Sequence, residues 1–344
     1  MPPAQTKVRS ASVLVFWLLA RPVLGQDTRQ DFLALIDRPR VPPAAEVTEL
    51  PGTGSLAALH FTFASEDHER VPGILIKAAQ GAPRRPVVIV LHGTGGKKSD
   101  ELPLLRMLAE RGFIGVAIDG RYHGERSKTG SGSATYQEAI VDAWKTGHGH
   151  PLYIDAVWDV MRLVDYLQTR NDVDKNRIGL IGFSKGGIET YLTAAVDPRI
   201  AVAVPCIGLQ SFRWALENNA WKPRVGTISD AFKAVAKDAG VAEPDASFVR
   251  KFYARVVPGI DDKFDGPAMA PLIAPRPLMV INGDSDNRTP LEGLRLCTDA
   301  AQAAYHVADA DDHFLVRIQL HTGHRVNPDS QSAAIDWFVK WLKP

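Results

Sequence analysis

Cysteine is scarce in this chain: Cys206 and Cys297 are the only two among 344 residues. Two thiols cannot build a disulfide framework, and neither stands in a CxxC or beside a histidine in a nucleophile-like setting. One ends an apolar strand-like run and the other lies in a helix-like one, so buried free thiols are expected. An excess of one charge is missing too, with 40 basic residues against 39 acidic ones and a formal net charge of +1. No basic run stands out, so nucleic acid is not an expected partner. The sequence has no internal repeat and no low-complexity tract. After Gly25 no apolar run is long enough to span a bilayer, so no stable membrane insertion is expected of the mature chain.

The first residues carry a pattern of their own. Lys7 and Arg9 precede an apolar run from Ala11 to Ala20, followed by Arg21 and a stretch of small residues ending at Gly25. A basic start, a short apolar middle and a small residue before polar sequence describe a secretory signal over residues 1–25. As a helix the run would measure about 15 Å, half of a bilayer core. Export to a periplasmic or extracellular compartment follows as an expectation.

What the rest contains is alternation. Residues 26–56 form an N-terminal extension, Pro-rich from Arg38 to Pro43. Leu59 to Ala64 and Ile74 to Ala78 read as an antiparallel start. Val87 to Leu91 (VVIVL) is a continuous apolar run, the mark of a strand buried on both faces. Strand-like runs at Phe113 to Ile118, Ile178 to Gly182, Ile200 to Val204, Leu278 to Asn282 and Phe314 to Leu320 alternate with helical stretches. The longest of these are Tyr153 to Gln168, Leu291 to Ala304 and Ser330 to Leu342. Such alternation implies an α/β domain over residues 57–344, with a mostly parallel central sheet and helices on both faces. Two segments break the rhythm. Arg121 to Pro151 is loop-like, and 209–275 is a helical, aromatic-rich insertion after the sixth strand, read as a cap or lid.

Gly182-Phe183-Ser184-Lys185-Gly186 matches G-x-S-x-G. By itself the pattern is weak, but a buried-strand run (RIGLI) stands before it and a Gly-led helix after it. That is the setting of a nucleophile elbow, where a strained turn presents the serine hydroxyl and a helix N-terminus supplies positive potential beneath it. An elbow requires an oxyanion hole. The backbone N–H of Lys185 is one expected donor, and the Thr94 N–H of the loop His92-Gly93-Thr94-Gly95-Gly96 is the other, with Gly93 as its competitor. His92 precedes the serine and is read as ordering that loop. After the strand LMVIN comes Asn282-Gly283-Asp284-Ser285-Asp286. Two carboxylates compete there for the role of the acid, Asp284 and Asp286, and Asp284 suits an Asx-type turn. After the last strand, His321-Thr322-Gly323-His324 offers the base. The G-H step selects His324 over His321, and His313 falls at the far rim of the sheet. His148 and His150 have no partner set at ligand spacing, so no metal is expected.

Together LHGTGG, DGRYHGER, GFSKGG, INGDSDNRTP and HTGHRV, in this order, resemble the α/β-hydrolase superfamily from about Leu59 to Leu342. The closer likeness is to its dienelactone-hydrolase and acetyl-xylan-esterase branch, which grades into prolyl-oligopeptidase-like catalytic domains. The resemblance implies the α/β-hydrolase fold and a Ser–Asp–His triad of Ser184, Asp286 and His324. It further implies cleavage of a small-molecule carboxylic ester through an acyl-enzyme, with no cofactor. A serine peptidase and a non-catalytic binding protein are the alternatives. Departures are the lysine after the nucleophile and the aromatic insertion. Lys185 would either favour an acidic substrate or point to solvent.

Overall fold

The computed structural model describes residues 22–130 and 132–344. Lys7, Arg9 and the apolar run of the expected signal lie outside these residues. The described chain begins with α1 (Pro22–Ile36), followed by β1 (Glu46–Thr53), β2 (Leu56–Glu66), β3 (Glu69–Ala78), β4 (Arg85–Leu91), α2 (Leu102–Glu110) and β5 (Ile114–Ile118). Next come α3 (Ala134–Thr146), α4 (Ile154–Thr169), β6 (Val173–Phe183), α5 (Lys185–Val196) and β7 (Ile200–Cys206). Five short helices occupy the insertion: α6 (Phe212–Glu217), α7 (Lys222–Val225), α8 (Ser229–Asp238), α9 (Ala246–Val256) and α10 (Gly266–Met269). The chain closes with β8 (Leu278–Gly283), α11 (Leu291–Val307), β9 (Phe314–Gln319) and α12 (Pro328–Leu342).

The nine strands of the described residues join one sheet in the order β1-β2-β3-β5-β4-β6-β7-β8-β9. The first three run antiparallel and pair through β3 with β5, and every pairing from β5 to β9 is parallel. The apolar runs explain the centre. Every residue of β4, β5 and β8 is buried, as both faces of a parallel sheet require. Successive residues serve opposite cores. Val87, Ile89 and Leu91 pack with α1, α4 and α5, whereas Val88 and Val90 pack with α2 and α12.

The strand count differs from the sequence reading at the front edge. β1 (EVTELPGT) carries two glutamates, a proline and exposed Val47 and Leu50, so it lacks the buried run by which the other strands announce themselves. With β1 counted, the insertion follows the seventh strand, not the sixth. The segment from Arg121 to Pro151, read as a loop, holds the helix α3. Its apolar positions Tyr136, Ile140 and Ala143 face the core at helical spacing. Residues 26–56 are folded against the domain. Phe32 of α1 is fully buried edge-on to Phe264, and Arg29 donates to the carbonyls of Ala195 and Leu272.

Candidate active site

Parallel strands end together, so the loops at their C-terminal ends share one rim, the usual place for a site in an open α/β sheet. Leu91 of β4 stands opposite Gly182 of β6, Phe183 opposite Cys206 of β7, and Gly283 of β8 opposite Gln319 of β9. Each motif of the sequence thereby arrives at the same edge.

Ser184 forms the turn between β6 and α5, with φ +55° and ψ −109°. A serine in this region is strained, and the surroundings hold it there. Its N–H donates to Cys206 O at 3.0 Å, and its own carbonyl accepts from Ile188 N at 3.0 Å. A Cβ at Gly186 would stand 2.3 Å from the Leu91 carbonyl oxygen, so only glycine lets the helix start press this close to β4. Because α5 opens at Lys185, the Lys185 N–H has no carbonyl one turn back. On the facing loop a Cβ at Gly93 would fall 3.7 Å from the Ser184 Cβ, with Thr94 next along the chain.

His324 bridges Ser184 and Asp286. Its Nε2 lies 2.7 Å from Ser184 Oγ, and its Nδ1 lies 2.7 Å from Asp286 Oδ2. An ionised carboxylate only accepts, so Nδ1 carries the proton and Nε2 presents its lone pair to the serine hydroxyl. Burial pulls the imidazole below its usual 6.5. The Asp286 carboxylate opposes that, and the charges of Arg224 and Arg288 add to the lowering. The ring is therefore a free base at neutral pH.

Asp286 is buried, its Oδ1 accepting from Arg288 N at 2.9 Å and Thr289 N at 3.3 Å. Asn282 secures the same loop by donating to the carbonyls of Gly283 and Thr289, each at 3.0 Å. Asp284 does something else: it accepts the N–H of His321 at 2.8 Å and of Thr322 at 3.0 Å. It ties the acid loop to the histidine loop. The two loops meet so closely that a Cβ on Gly283 would sit 2.1 Å from Thr322 O. His321 is exposed, and His313 bonds Pro275 O at 2.6 Å, so neither enters the cluster.

The loop carrying Gly93 and Thr94 is anchored from behind. His92 Nε2 accepts the Gly120 N–H at 3.0 Å, and its Nδ1 faces Gly93 O at 2.7 Å. Burial, with the Lys185 charge second, lowers His92 to about 4, so it stays neutral and bonds as a structural group. Asp119 holds Lys98 through its backbone N–H at 2.8 Å and its ammonium at 2.6 Å. The Lys185 side chain does not reach solvent: it is 2% exposed, with Nζ 2.6 Å from Glu189 Oε1. Cys206 and Cys297 are both buried and unpaired.

Sequence reasoning missed Arg224, Thr289 and Asn282. Arg224 stands in α7 and reaches the acid loop, donating to Arg288 O at 3.1 Å and Thr289 Oγ1 at 2.8 Å. No spacing signals such a contact across 64 residues. Asn282 was within view, as the residue before the Gly-Asp turn.

Comparison with known proteins bears on family and fold. The profile of the fungal glucuronyl esterase family matches residues 76–308, more than half of the chain. YtaP of Bacillus subtilis is 26% identical over 294 residues, covering 80% of this chain and 85% of that protein. The 4-O-methyl-glucuronoyl methylesterase of Neurospora crassa is 25% identical over 204 residues, 57% of this chain and 49% of the relative. This chain thus spans about half the length of that methylesterase. An acetyl xylan esterase structure from Paenibacillus sp. R4 superposes with a TM-score of 0.62 at 20% identity, covering 94% of this chain and 96% of that one. The chain belongs to the fungal glucuronyl esterase family, and it is a carboxylic ester hydrolase of the α/β-hydrolase fold.

Proposed function

We infer that Ser184 is the nucleophile of this hydrolase, His324 its general base and acid, and Asp286 the group that fixes the imidazole. The single observation that carries the reading is the unbroken run of contacts from Ser184 Oγ to His324 to Asp286, each 2.7 Å long. In the first step Ser184 Oγ attacks the ester carbonyl while His324 Nε2 takes the hydroxyl proton. The imidazolium, stabilised by Asp286, returns that proton to the departing alcohol. Water then repeats the sequence on the acyl-enzyme and releases the acid. Backbone N–H groups of Lys185 and Thr94 face the developing oxyanion. Each such donor is worth about 100- to 1000-fold in kcat.

The substrates are small carboxylic esters in a carbohydrate setting, a reading supported by the names of the Neurospora methylesterase and the Paenibacillus acetyl xylan esterase. The insertion at 209–275 forms the cap beside the site. Its aromatics make a core of their own, with Phe232 centred 5.7 Å from Phe248 and 5.5 Å from Phe252. Export through the leader at residues 1–25 is part of the same proposal; removal after Gly25 keeps Phe32 and Ile36 of α1 in place. Replacing Ser184 by alanine tests the reading. Hydrolysis of short-chain aryl esters falls by about 10⁴- to 10⁶-fold with folding unchanged by circular dichroism. Retention of a tenth of wild-type kcat would overturn it.

A further inference from the structure

Arg224 is 4% exposed, yet all its partners are neutral. Its Nη2 donates to Arg288 O and Thr289 Oγ1. Gln210 places its amide between Arg288 O at 2.6 Å and Arg224 Nε at 3.3 Å, in the orientation that satisfies both. Among the described residues, neither Arg224 nor Arg288 takes part in an ion pair, and the half-buried Arg288 side chain makes no hydrogen bond. The contrast is with the loop after β5. There Arg121 and Arg126 share the Asp159 carboxylate at 3.0 and 2.8 Å.

A buried charge is costly unless a counter-charge meets it. This loop carries two carboxylates: Asp286, whose oxygens are already engaged by the N–H groups of Arg288 and Thr289 and by His324, and Asp284, which accepts the N–H groups of His321 and Thr322. Lys185 is balanced by Glu189. Among the described residues neither guanidinium has a carboxylate within ion-pair distance, so both stand in the wall beside Ser184, His324 and Asp286 without a directly bonded counter-charge. Guanidinium is the cation whose geometry suits a carboxylate best.

Resting on the reading of Ser184 as nucleophile, we propose that Arg224 and Arg288 form an anion-recognition point, and that the preferred substrates are esters bearing a free carboxylate close to the scissile bond. That carboxylate belongs either to the acyl part or to the alcohol part, and matched substrate pairs separate the two. On the acyl side, mono-(4-nitrophenyl) glutarate is compared with 4-nitrophenyl pentanoate. On the alcohol side, 4-acetoxybenzoate is compared with 4-acetoxybenzamide.

The expected result is a kcat/KM at least tenfold higher for the charged member of one pair, the pair naming the side. In Arg224→Gln and in Arg288→Gln that ratio falls by tenfold or more, whatever happens to absolute rates. Should Arg224→Gln fail to fold, Arg288→Gln decides alone, because its side chain holds nothing in place. A wild-type enzyme that cleaves the neutral esters as well as the charged ones overturns the inference while leaving the ester hydrolase reading intact. So does a preference that survives in Arg288→Gln. Wild-type inactivity on all four esters removes the underlying reading and the inference with it.

Discussion

Two aspartates two positions apart, Asp284 and Asp286, have different work because different atoms face them. Asp286 meets an imidazole, and Asp284 meets two backbone N–H groups. Asp286→Asn inverts the bonding that Nδ1 requires and lowers kcat by about 10⁴-fold. Asp284→Asn keeps one acceptor for the loop and costs no more than about tenfold, chiefly through a less well placed His324. Steady-state kinetics of the two variants check this, and equal losses would contradict it. The pH profile belongs to the same scale. Catalysis needs the free base, and the folded His324 pKa lies below 6.5 because of burial first and the two arginines after it. The acidic limb of kcat/KM therefore has its midpoint below 6.5, with a plateau through neutral pH. A midpoint above 6.5 would contradict the electrostatic account.

Ser184, Asp286 and His324, the three side chains that the structure brings into contact, were legible in the sequence as candidates because each follows a strand whose apolar run declares itself. Ser184 follows RIGLI, Asp286 follows LMVIN, and His324 follows Phe314 to Leu320. Strand ends and turn glycines are local signals. The Lys185 pairing is not legible in this way. An ammonium beside a nucleophile reads equally as a substrate contact or a surface group, and only the approach of Glu189 one helical turn on, in a buried setting, decides it. Arg224 is less legible still, since its partners come from the far side of the insertion.

At the scale of elements, the site depends on the loops behind it. The segment from Asp119 to Arg126 is fastened to α4 by Asp159, which accepts from Arg121 and Arg126 while Glu66 and Glu69 take their other N–H groups. Burial pushes the Asp159 carboxyl up, but the two guanidinium groups outweigh it and hold the pKa at about 2. A depressed carboxyl stabilises the fold above its unfolded value of about 3.9, and that contribution is lost as pH falls from about 4 to about 2. Asp159→Asn leaves two guanidinium groups short of a counter-charge and lowers stability by about 3 kcal/mol in urea unfolding at pH 7. The loss narrows at low pH, where wild-type Asp159 is itself protonated. A variant as stable as wild type at pH 7 would show that Glu66 and Glu69 suffice. α3 and β1 show where the alternation pattern ends as a guide. A helix inside a Gly- and Ser-rich segment and a half-exposed edge strand each lack the continuous apolar run that marks the central elements.

For the whole molecule, the parallel sheet brings residues 93, 184, 286 and 324 to one rim. The N-terminal segment packs onto the domain, with Phe32 buried against Phe264 of the insertion. Nothing in residues 26–56 announces that role. Their packing partners at Ala195, Phe264 and Leu272 lie more than 160 residues away. The central claim is about one oxygen atom in this frame. An organophosphonate reacts with an activated serine and stays attached, so peptide mass spectrometry of the treated, folded enzyme reports which residue was activated. The account predicts one adduct per chain, on Ser184 in the peptide containing GFSKGG, and none in Ser184→Ala. A stoichiometric adduct on any other residue, or undiminished labelling of the alanine variant, would contradict it.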